Sequence, residues 1–318
     1  MKAIRVSHFG DPSVLELHDL PAPIPAPGQL LIRLHAAGVN PVEAYVRAGK
    51  YPRIPDLPYT PGSDGAGVVG QSKDPNLPPG TRVFITGSLT GAYAEQALCI
   101  PGQVFPLPDH ISFEQGAALG VPYATATWAL FYRGHARAAE TLLVHGASGG
   151  VGLAALQLAR AAGLRIFGTA GTPQGLELAT QNGAKQVFNH REPGYLDQIK
   201  AATDGRGLDL ILEMAADQNL GHDLTLLAPN GRVVVVGSRG PVQIDPRNIM
   251  MREADIRGIT LFSATPADRA EIYHRITLGL EDGSLDPIIG NTFPLQEAPR
   301  AHEQVMSSGA RGKVVLTM

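Results

Sequence analysis

The sequence predicts an α/β protein: a doubly wound parallel sheet inserted in a mostly β domain. Three observations predict it. From residue 141 to residue 261, short apolar runs alternate with helix-like stretches. Before about residue 115 the chain is instead rich in Pro and Gly, with brief β-like runs. Within the alternating region lies a glycine turn, Gly146-Ala147-Ser148-Gly149-Gly150-Val151-Gly152, between an apolar strand and a Leu- and Ala-rich helix.

Taken in order, the first domain shows candidate strands at 30–34, 67–69, 82–85 and 93–98. Many short strands separated by turn residues indicate a compact β domain. Pro21, Pro23, Pro25 and Pro27 keep their segment extended, because each fixes φ and restricts the residue before it. Ser112 followed by Glu114 and Gln115 marks a helix start, and Pro122 is expected to break or bend that helix. A further helix over 124–132 would place Trp128 and Phe131 on its buried side. Strands then follow at 142–144, 165–169, 186–188, 208–212, 232–236 and 256–261. Gly183 after Asn182 reads as a helix stop. Strands with helical crossovers make a parallel sheet covered on both faces. The run Val233-Val234-Val235-Val236 has the unbroken apolar character such a strand needs. Helices over 267–280 and 298–308 and a strand over 313–317 close the chain. That tail is too short to be a domain, so residues 1–117 and 265–318 are assigned to one domain and 118–264 to the other.

A length of 318 residues suits two domains, and 44% hydrophobic against 17% charged residues supplies a sizeable core. The formal net charge is −3 and no basic run occurs, so a nucleic-acid surface is not expected. Cys99 is the only cysteine, which excludes an intrachain disulfide and a zinc site of several cysteines. It reads as a small buried residue rather than a nucleophile. The first residues alternate like a strand and not like a signal peptide, and no apolar run is long enough for a membrane span. A cytoplasmic protein is expected.

The glycine turn carries the chemistry. The first N–H groups of a helix lack intrahelical partners and the dipole favours an anion there. Glycine lets a phosphate approach the backbone that a Cβ would block. The spacing Gly146-x-x-Gly149-x-x-Gly152 departs from G-x-G-x-x-G, and the same residues also suit a plain strand-to-helix turn. The repeated β-α pattern around them favours a dinucleotide. An NAD site usually ends its second strand in an acid that binds the ribose hydroxyls. Here that strand runs into Phe167-Gly168-Thr169-Ala170-Gly171-Thr172, and no Asp or Glu occurs between Glu140 and Glu177. Nothing there repels a 2′-phosphate, which predicts NADPH. His190 and Arg191, after the third strand, can reach the same phosphate, although Arg191 also suits a solvated loop. Gly237, Ser238 and Arg239 follow the fifth strand, where ligands of parallel sheets lie. Asn219 reads either as a helix N-cap or as a cofactor contact.

These stretches resemble a known family. His145 through Gly152, Phe188-Asn189-His190-Arg191-Glu192 and Val236-Gly237-Ser238-Arg239-Gly240 are similar to the zeta-crystallin family, as are Gly38-Val39-Asn40-Pro41-Val42-Glu43 and Pro58-Tyr59-Thr60-Pro61-Gly62-Ser63-Asp64. That family comprises NADPH:quinone oxidoreductases of the zinc-free branch of the medium-chain dehydrogenases/reductases. The resemblance spans nearly the whole chain and implies a Rossmann sheet inserted in a GroES-like β domain. It implies that Ser148, Gly149, Gly150 and Val151 hold the pyrophosphate. Gly171 and His190 would surround the adenosine ribose and its phosphate, with Asn219 nearby. Val236, Gly237, Ser238 and Arg239, with Ile259, Thr260 and Leu261, would run under the nicotinamide half. Tyr45, Asn40 and Thr125 would line the nicotinamide end. Some relatives carry a Lys in the loop after the second strand where this chain has Gly175, which shifts the phosphate contact onto His190 and Arg191. Zinc alcohol dehydrogenases are similar too, but place Cys at the position of Asn40 and a His-Glu pair near Ser63-Asp64. Asn and Ser are poor zinc ligands, so no metal is expected.

Without a metal to polarise a carbonyl, a quinone or enone is the easier hydride acceptor, because its conjugation spreads the added charge. Tyr45 is the candidate catalytic hydrogen-bond donor, or else a rim aromatic, and Asn40 a candidate for orienting substrate. An enone or enoyl-thioester reductase would share the same cofactor residues. The resemblance also admits an NADPH-binding protein with a structural or RNA-binding role. It implies a homodimer or homotetramer, and the strand at 256–261 would present an apolar edge for pairing.

Overall fold

The computed structural model describes residues 1–318 and divides them into two units. Unit 1 comprises Met1–Pro122, Tyr273–Ser308 and Gly312–Met318, and unit 2 comprises Tyr123–Ile272 and Gly309–Arg311.

The elements follow in chain order. Unit 1 opens with β1 (Lys2–Arg5), β2 (Glu16–Asp19), β3 (Leu30–Val39), α1 (Pro41–Arg47), β4 (Asp64–Gln71), β5 (Arg82–Thr86), β6 (Gln96–Cys99), β7 (Val104–Pro106) and α2 (Phe113–Ala117). Helix α3 (Gly120–Thr127) carries the chain into unit 2, which contains β8 (Thr141–Val144), α4 (Gly150–Ala161), β9 (Arg165–Ala170), α5 (Pro173–Gln181), β10 (Gln186–Asn189), α6 (Tyr195–Ala202), β11 (Leu208–Glu213), α7 (Ala216–Leu226), β12 (Leu227–Val235), α8 (Pro246–Met250) and β13 (Asp255–Gly258). Then come α9 (Pro266–Glu281), β14 (Ile289–Pro294), α10 (Ala298–Met306) and β15 (Lys313–Thr317). Two of the four unit boundaries, 122/123 and 272/273, fall inside helices, α3 and α9.

The main sheet of unit 1 has the order β14-β15-β3-β4-β5-β7, with β6 also paired to β3. The last strand of the chain lies antiparallel beside β3, Val314 opposite Val39, so the tail returns to the first sheet. Its core gathers Ile4, Ile32, Val69, Val83, Ile85, Tyr93 and Leu316.

Unit 2 is a six-stranded sheet in the order β10-β9-β8-β11-β12-β13, and every pair is parallel. This is the doubly wound Rossmann order, with the reversal between β8 and β11. Leu143, Phe167, Phe188, Ile211 and Val233 fill its core.

Local differences from the sequence reading have physical causes. Ser112 caps α2 through a reciprocal bond with Gln115, but the helix ends at Ala117. Pro122 therefore breaks nothing: it lies in the first turn of α3, where its missing N–H costs no bond. Trp128 and Phe131 are half-buried, while Ala129 and Leu130 are the sealed residues of that turn. The edge strand is shorter and more polar than 256–261. It stops at Gly258 and carries the ion pair Arg257–Asp255 at 2.6 Å, leaving Ile256 as its one large apolar residue. Charges on an edge strand suppress unwanted pairing.

Candidate functional site

The unit 2 candidates other than Thr125 lie at or beyond the carboxyl ends of its strands. After β8 the chain turns at Gly146, whose φ of 59° needs a glycine. The N–H of Ala147 donates to Thr169 O at 2.9 Å and that of Gly149 to Gly146 O at 3.0 Å, which fixes the loop. A Cβ on Gly152 would stand 2.8 Å from the Ala147 backbone, so only glycine lets α4 press against the turn. Gly149 is the N-cap of α4 and supplies no side-chain bond. The first N–H groups of the helix, around Gly150 and Val151, are left to an outside acceptor. Ser148 differs: its hydroxyl donates to Ala310 O at 2.7 Å, so it anchors residues 309–311 at this turn.

Gly171 follows β9, and the structure brings His190 and Arg191 against it. A Cβ there would lie 2.7 Å from His190 Nε2 and 2.9 Å from Arg191 Nε. The two basic side chains thus meet over a position that must lack a side chain. Burial lowers the His190 pKa, and the charges of Arg191 and His145 lower it further. Gly175 is not in the loop. It is the third residue of α5, where its N–H donates to the capping Thr172 hydroxyl and a Cβ would sit 3.0 Å from Ser148 Oγ.

The ends of β11 and β12 are stitched together. The N–H groups of Val236 and Gly237 donate to Glu213 O at 2.8 and 3.2 Å, and Ala216 N–H donates to Gly237 O at 2.9 Å. A Cβ on Gly237 would be 2.6 Å from Met214 O. Ser238 and Arg239 are exposed, and the Arg239 N–H donates to Asp217 Oδ1 at 2.9 Å. Asn219 is not an N-cap. It is the fourth residue of α7, capped by Ala215, and its amide donates to Glu213 Oε1 at 3.2 Å. Ile259 and Thr260 follow β13, and Leu261 opens a short 3-10 turn. Thr125 lies half-buried on α3.

Beneath these loops is a cluster that sequence reasoning missed. His145 Nε2 lies 2.9 Å from Asp223 Oδ1 and 3.5 Å from Glu213 Oε2, and its Nδ1 lies 3.1 Å from Thr169 Oγ1. Glu213 Oε1 accepts the Ala215 N–H. Burial pulls the His145 pKa down, but the charge and hydrogen bond of Asp223, then the charge of Glu213, outweigh it and lift it to about 9. Burial pushes Glu213 up to about 7. One nitrogen and two carboxylates within 4.8 Å form a donor set that metals also use. Here the imidazolium is the cation among them.

In unit 1, Tyr45 lies half-buried on α1. Asn40 does not line an open surface. It caps α1, is 2% exposed, and its amide donates to Asp64 Oδ2 at 2.9 Å and Glu43 Oε1 at 3.3 Å. Its Oδ1 accepts from the Lys313 ammonium, which also donates to Asp64 Oδ2 at 3.1 Å. Glu43 further accepts from Asn40 N, Ser63 N and the Tyr93 hydroxyl at 2.8, 3.0 and 2.7 Å. The side chain of Asn40 is engaged within this buried network. An ammonium already sits among the oxygens of Asn40 and Asp64. Only the motif residues Asn40, Glu43, Ser63 and Asp64 signalled the network in the sequence.

Comparison with known proteins agrees with this architecture. Residues 26–109 match the alcohol dehydrogenase GroES-like domain and residues 150–277 the zinc-binding dehydrogenase domain. The chain is 50% identical to the quinone oxidoreductase of Homo sapiens, over 100% of this chain and 98% of that protein. The quinone oxidoreductase of Thermus thermophilus, also solved as its NADPH complex, superposes with a TM-score of 0.88 at 33% identity, covering 100% of both chains. An NAD-dependent alcohol dehydrogenase structure superposes with a TM-score of 0.94 at 28% identity, again over 100% of both chains. The fold by itself therefore does not choose the nucleotide or the substrate. The full-length identity does assign the lineage: the chain belongs to the quinone oxidoreductase family, the zinc-free, zeta-crystallin-like branch of the medium-chain dehydrogenases/reductases.

Proposed function

We propose that this protein is an NADPH:quinone oxidoreductase that needs no zinc. The observation that carries the reading is the meeting of His190 and Arg191 over Gly171, at a strand end without an acid. That is a receptor for a phosphate on the adenosine ribose, and it favours NADPH over NADH. The glycine cradles fit a dinucleotide, since a Cβ at Gly152, Gly171 or Gly237 would fill the space or move the loops.

In this reading the N–H groups around Ser148, Gly149, Gly150 and Val151 bind the pyrophosphate at the start of α4. Asn219 contacts the ribose side. Val236, Gly237, Ser238 and Arg239, with Ile259, Thr260 and Leu261, support the nicotinamide half, and Thr125 bounds its far end. When bound, NADPH supplies the hydride that reduces the quinone. The Tyr45 hydroxyl donates a hydrogen bond to the quinone oxygen as charge develops on it. The protein otherwise orients the reactants and excludes water.

We also propose a cytoplasmic homo-oligomer that does not bind nucleic acid. No helix is long and apolar enough to cross a membrane. The one cysteine, Cys99, is buried and free. Met250 and Met251, just before β13, are exposed apolar side chains. These features support a self-association surface on unit 2, which light scattering of the purified protein tests.

The activity test is NADPH oxidation with a panel of ortho- and para-quinones, before and after dialysis against a chelator. Turnover with quinones, faster with NADPH than NADH and unaffected by chelation, is expected. Absence of quinone turnover, or its loss on chelation, would defeat the proposal.

A further inference from the structure

The buried network of unit 1 is larger than the cap of α1 requires. Asn40 and Glu43 alone close that cap. Yet Lys313 enters it from the last strand of the chain, 273 residues away, and lies 4% exposed. The fold makes room for it: a Cβ on Gly38 would stand 2.7 Å from Lys313 Cε. Buried ions are costly, and apolar residues of equal volume would hold a fold together as well or better. Such a cluster is explained by what it fixes.

Two carboxylates meet here, and nearly everything facing them donates. Glu43 accepts from Asn40 N, Asn40 Nδ2, Ser63 N and the Tyr93 hydroxyl. Asp64 accepts from Asn40 Nδ2, Val121 N and Lys313. A protonated carboxyl must donate one bond, so protonation breaks the pattern. Glu43 has one place to send a proton. Tyr93 can turn to donate to His302 Nε2, 3.1 Å away, and accept from Glu43 instead. Two arrangements of the same side chains therefore compete.

We propose that Lys313 is a positioning residue for quinone reduction: its ammonium keeps Glu43 and Asp64 as acceptors, and so holds the first turn of α1, the helix that presents Tyr45. The proposal rests on the reading of Tyr45 given above. The charged or titratable groups around Glu43 are Asp64, Lys313, Tyr93, Tyr59, His302 and Arg47. Burial and Asp64 raise the Glu43 pKa, and Lys313 and the Tyr93 hydrogen bond lower it. Removing the ammonium raises it again.

The test compares Lys313→Met, Glu43→Gln and Tyr45→Phe for quinone kcat from pH 6 to 9, with NADPH affinity and thermal unfolding measured on each. In Lys313→Met, kcat is expected to fall about 10-fold at pH 7 and to recover as pH rises and Glu43 ionises, with NADPH affinity changed less than 2-fold. A general loss of packing would not produce that rising profile. Glu43→Gln mimics the protonated state and is expected to show the same loss with no recovery. A folded Lys313→Met variant with kcat within 2-fold of the parent, or one whose loss does not depend on pH, overturns the proposal. Where Lys313→Met does not fold, Glu43→Gln decides: kcat within 2-fold of the parent overturns it and a 10-fold, pH-independent loss supports it. Full activity of Tyr45→Phe beside a slow, pH-dependent Lys313→Met removes the role of the hydroxyl alone, because that variant keeps the Tyr45 ring that α1 positions.

Discussion

His145 Nε2 and Asp223 Oδ1 stand 2.9 Å apart with both side chains sealed from water, directly below the glycine turn. The pair joins the end of β8 to the middle of α7, and Thr169 and Glu213 extend it to β9 and β11. The loops proposed to hold the nucleotide thus share one charged floor. Breaking such a pair from one side strands a buried charge, at a cost of about 3–5 kcal/mol.

The floor gives unit 2 an alkaline weakness. The His145 pKa rises from 6.5 unfolded to about 9 folded, so its stabilisation is complete below 6.5 and disappears as pH climbs through 9. Glu213, raised from 4.5 to about 7, has the same sign and loses its share between those values. Thermal unfolding followed from pH 5 to 9 should show a falling midpoint. Asp223→Asn should lower stability at pH 7 and remove most of the decline between 7 and 9. An unchanged slope in that variant would separate the decline from this pair.

The phosphate receptor makes a different prediction. His190→Ala and Arg191→Ala should each weaken NADPH binding by roughly 10- to 100-fold, as loss of a charge-assisted hydrogen bond costs about 1.5–3 kcal/mol. NADH binding should change little. Gly171→Ala should mimic them, because its Cβ forces the His190 ring away from 2.7 Å. Since the His190 pKa lies below 6.5, acidification charges the ring and should widen the preference for NADPH. Titration calorimetry with both nucleotides at pH 5.5 and 7.5 reads all of this.

Much of unit 2 was legible because its signals are local. A covered parallel strand is a short apolar run, and a phosphate turn is a cluster of glycines beside it. What was not legible depends on distance along the chain. His145 and Asp223 are 78 residues apart, Asn40 and Lys313 273. No periodicity marks such pairs; the only trace is a polar residue at the end of an apolar run, as at Glu213. Asn219 was misplaced for a related reason. The start of α7 is served by the Glu213 carboxylate, which accepts the Ala215 N–H, so no capping side chain appears where the helix begins. Helix α1 has only seven residues and its cap is buried, so its pattern is too short to announce itself.

Packing at the turn predicts a sharp response to one methyl group. In Gly152→Ala the new Cβ would overlap the Gly146 carbonyl and approach Ala147 within 2.8 Å. These are backbone atoms of a loop already fixed by bonds to Thr169 and Gly146, so α4 must move outward. Nucleotide affinity should fall at least 10-fold, while unfolding of the unit changes less. Gly240→Ala is the control, because no atom lies within 4 Å of its Cβ position. Equal affinity in the two variants would show that the turn yields without loss.

Tyr45 tests the chemistry. Its hydroxyl is assigned to the developing quinone oxyanion and not to nucleotide binding, so Tyr45→Phe removes a donor while keeping the ring. A single donor to a developing oxyanion contributes up to about 10²–10³ in kcat in dry, fixed sites. Tyr45 is only half-buried, which places the expected loss nearer 10-fold. The loss should appear in kcat for quinones, with NADPH affinity unchanged, and should be larger for acceptors of low potential, whose oxyanion is more basic. Tyr45→Phe with full kcat across the quinone series would reduce Tyr45 to a wall of the site.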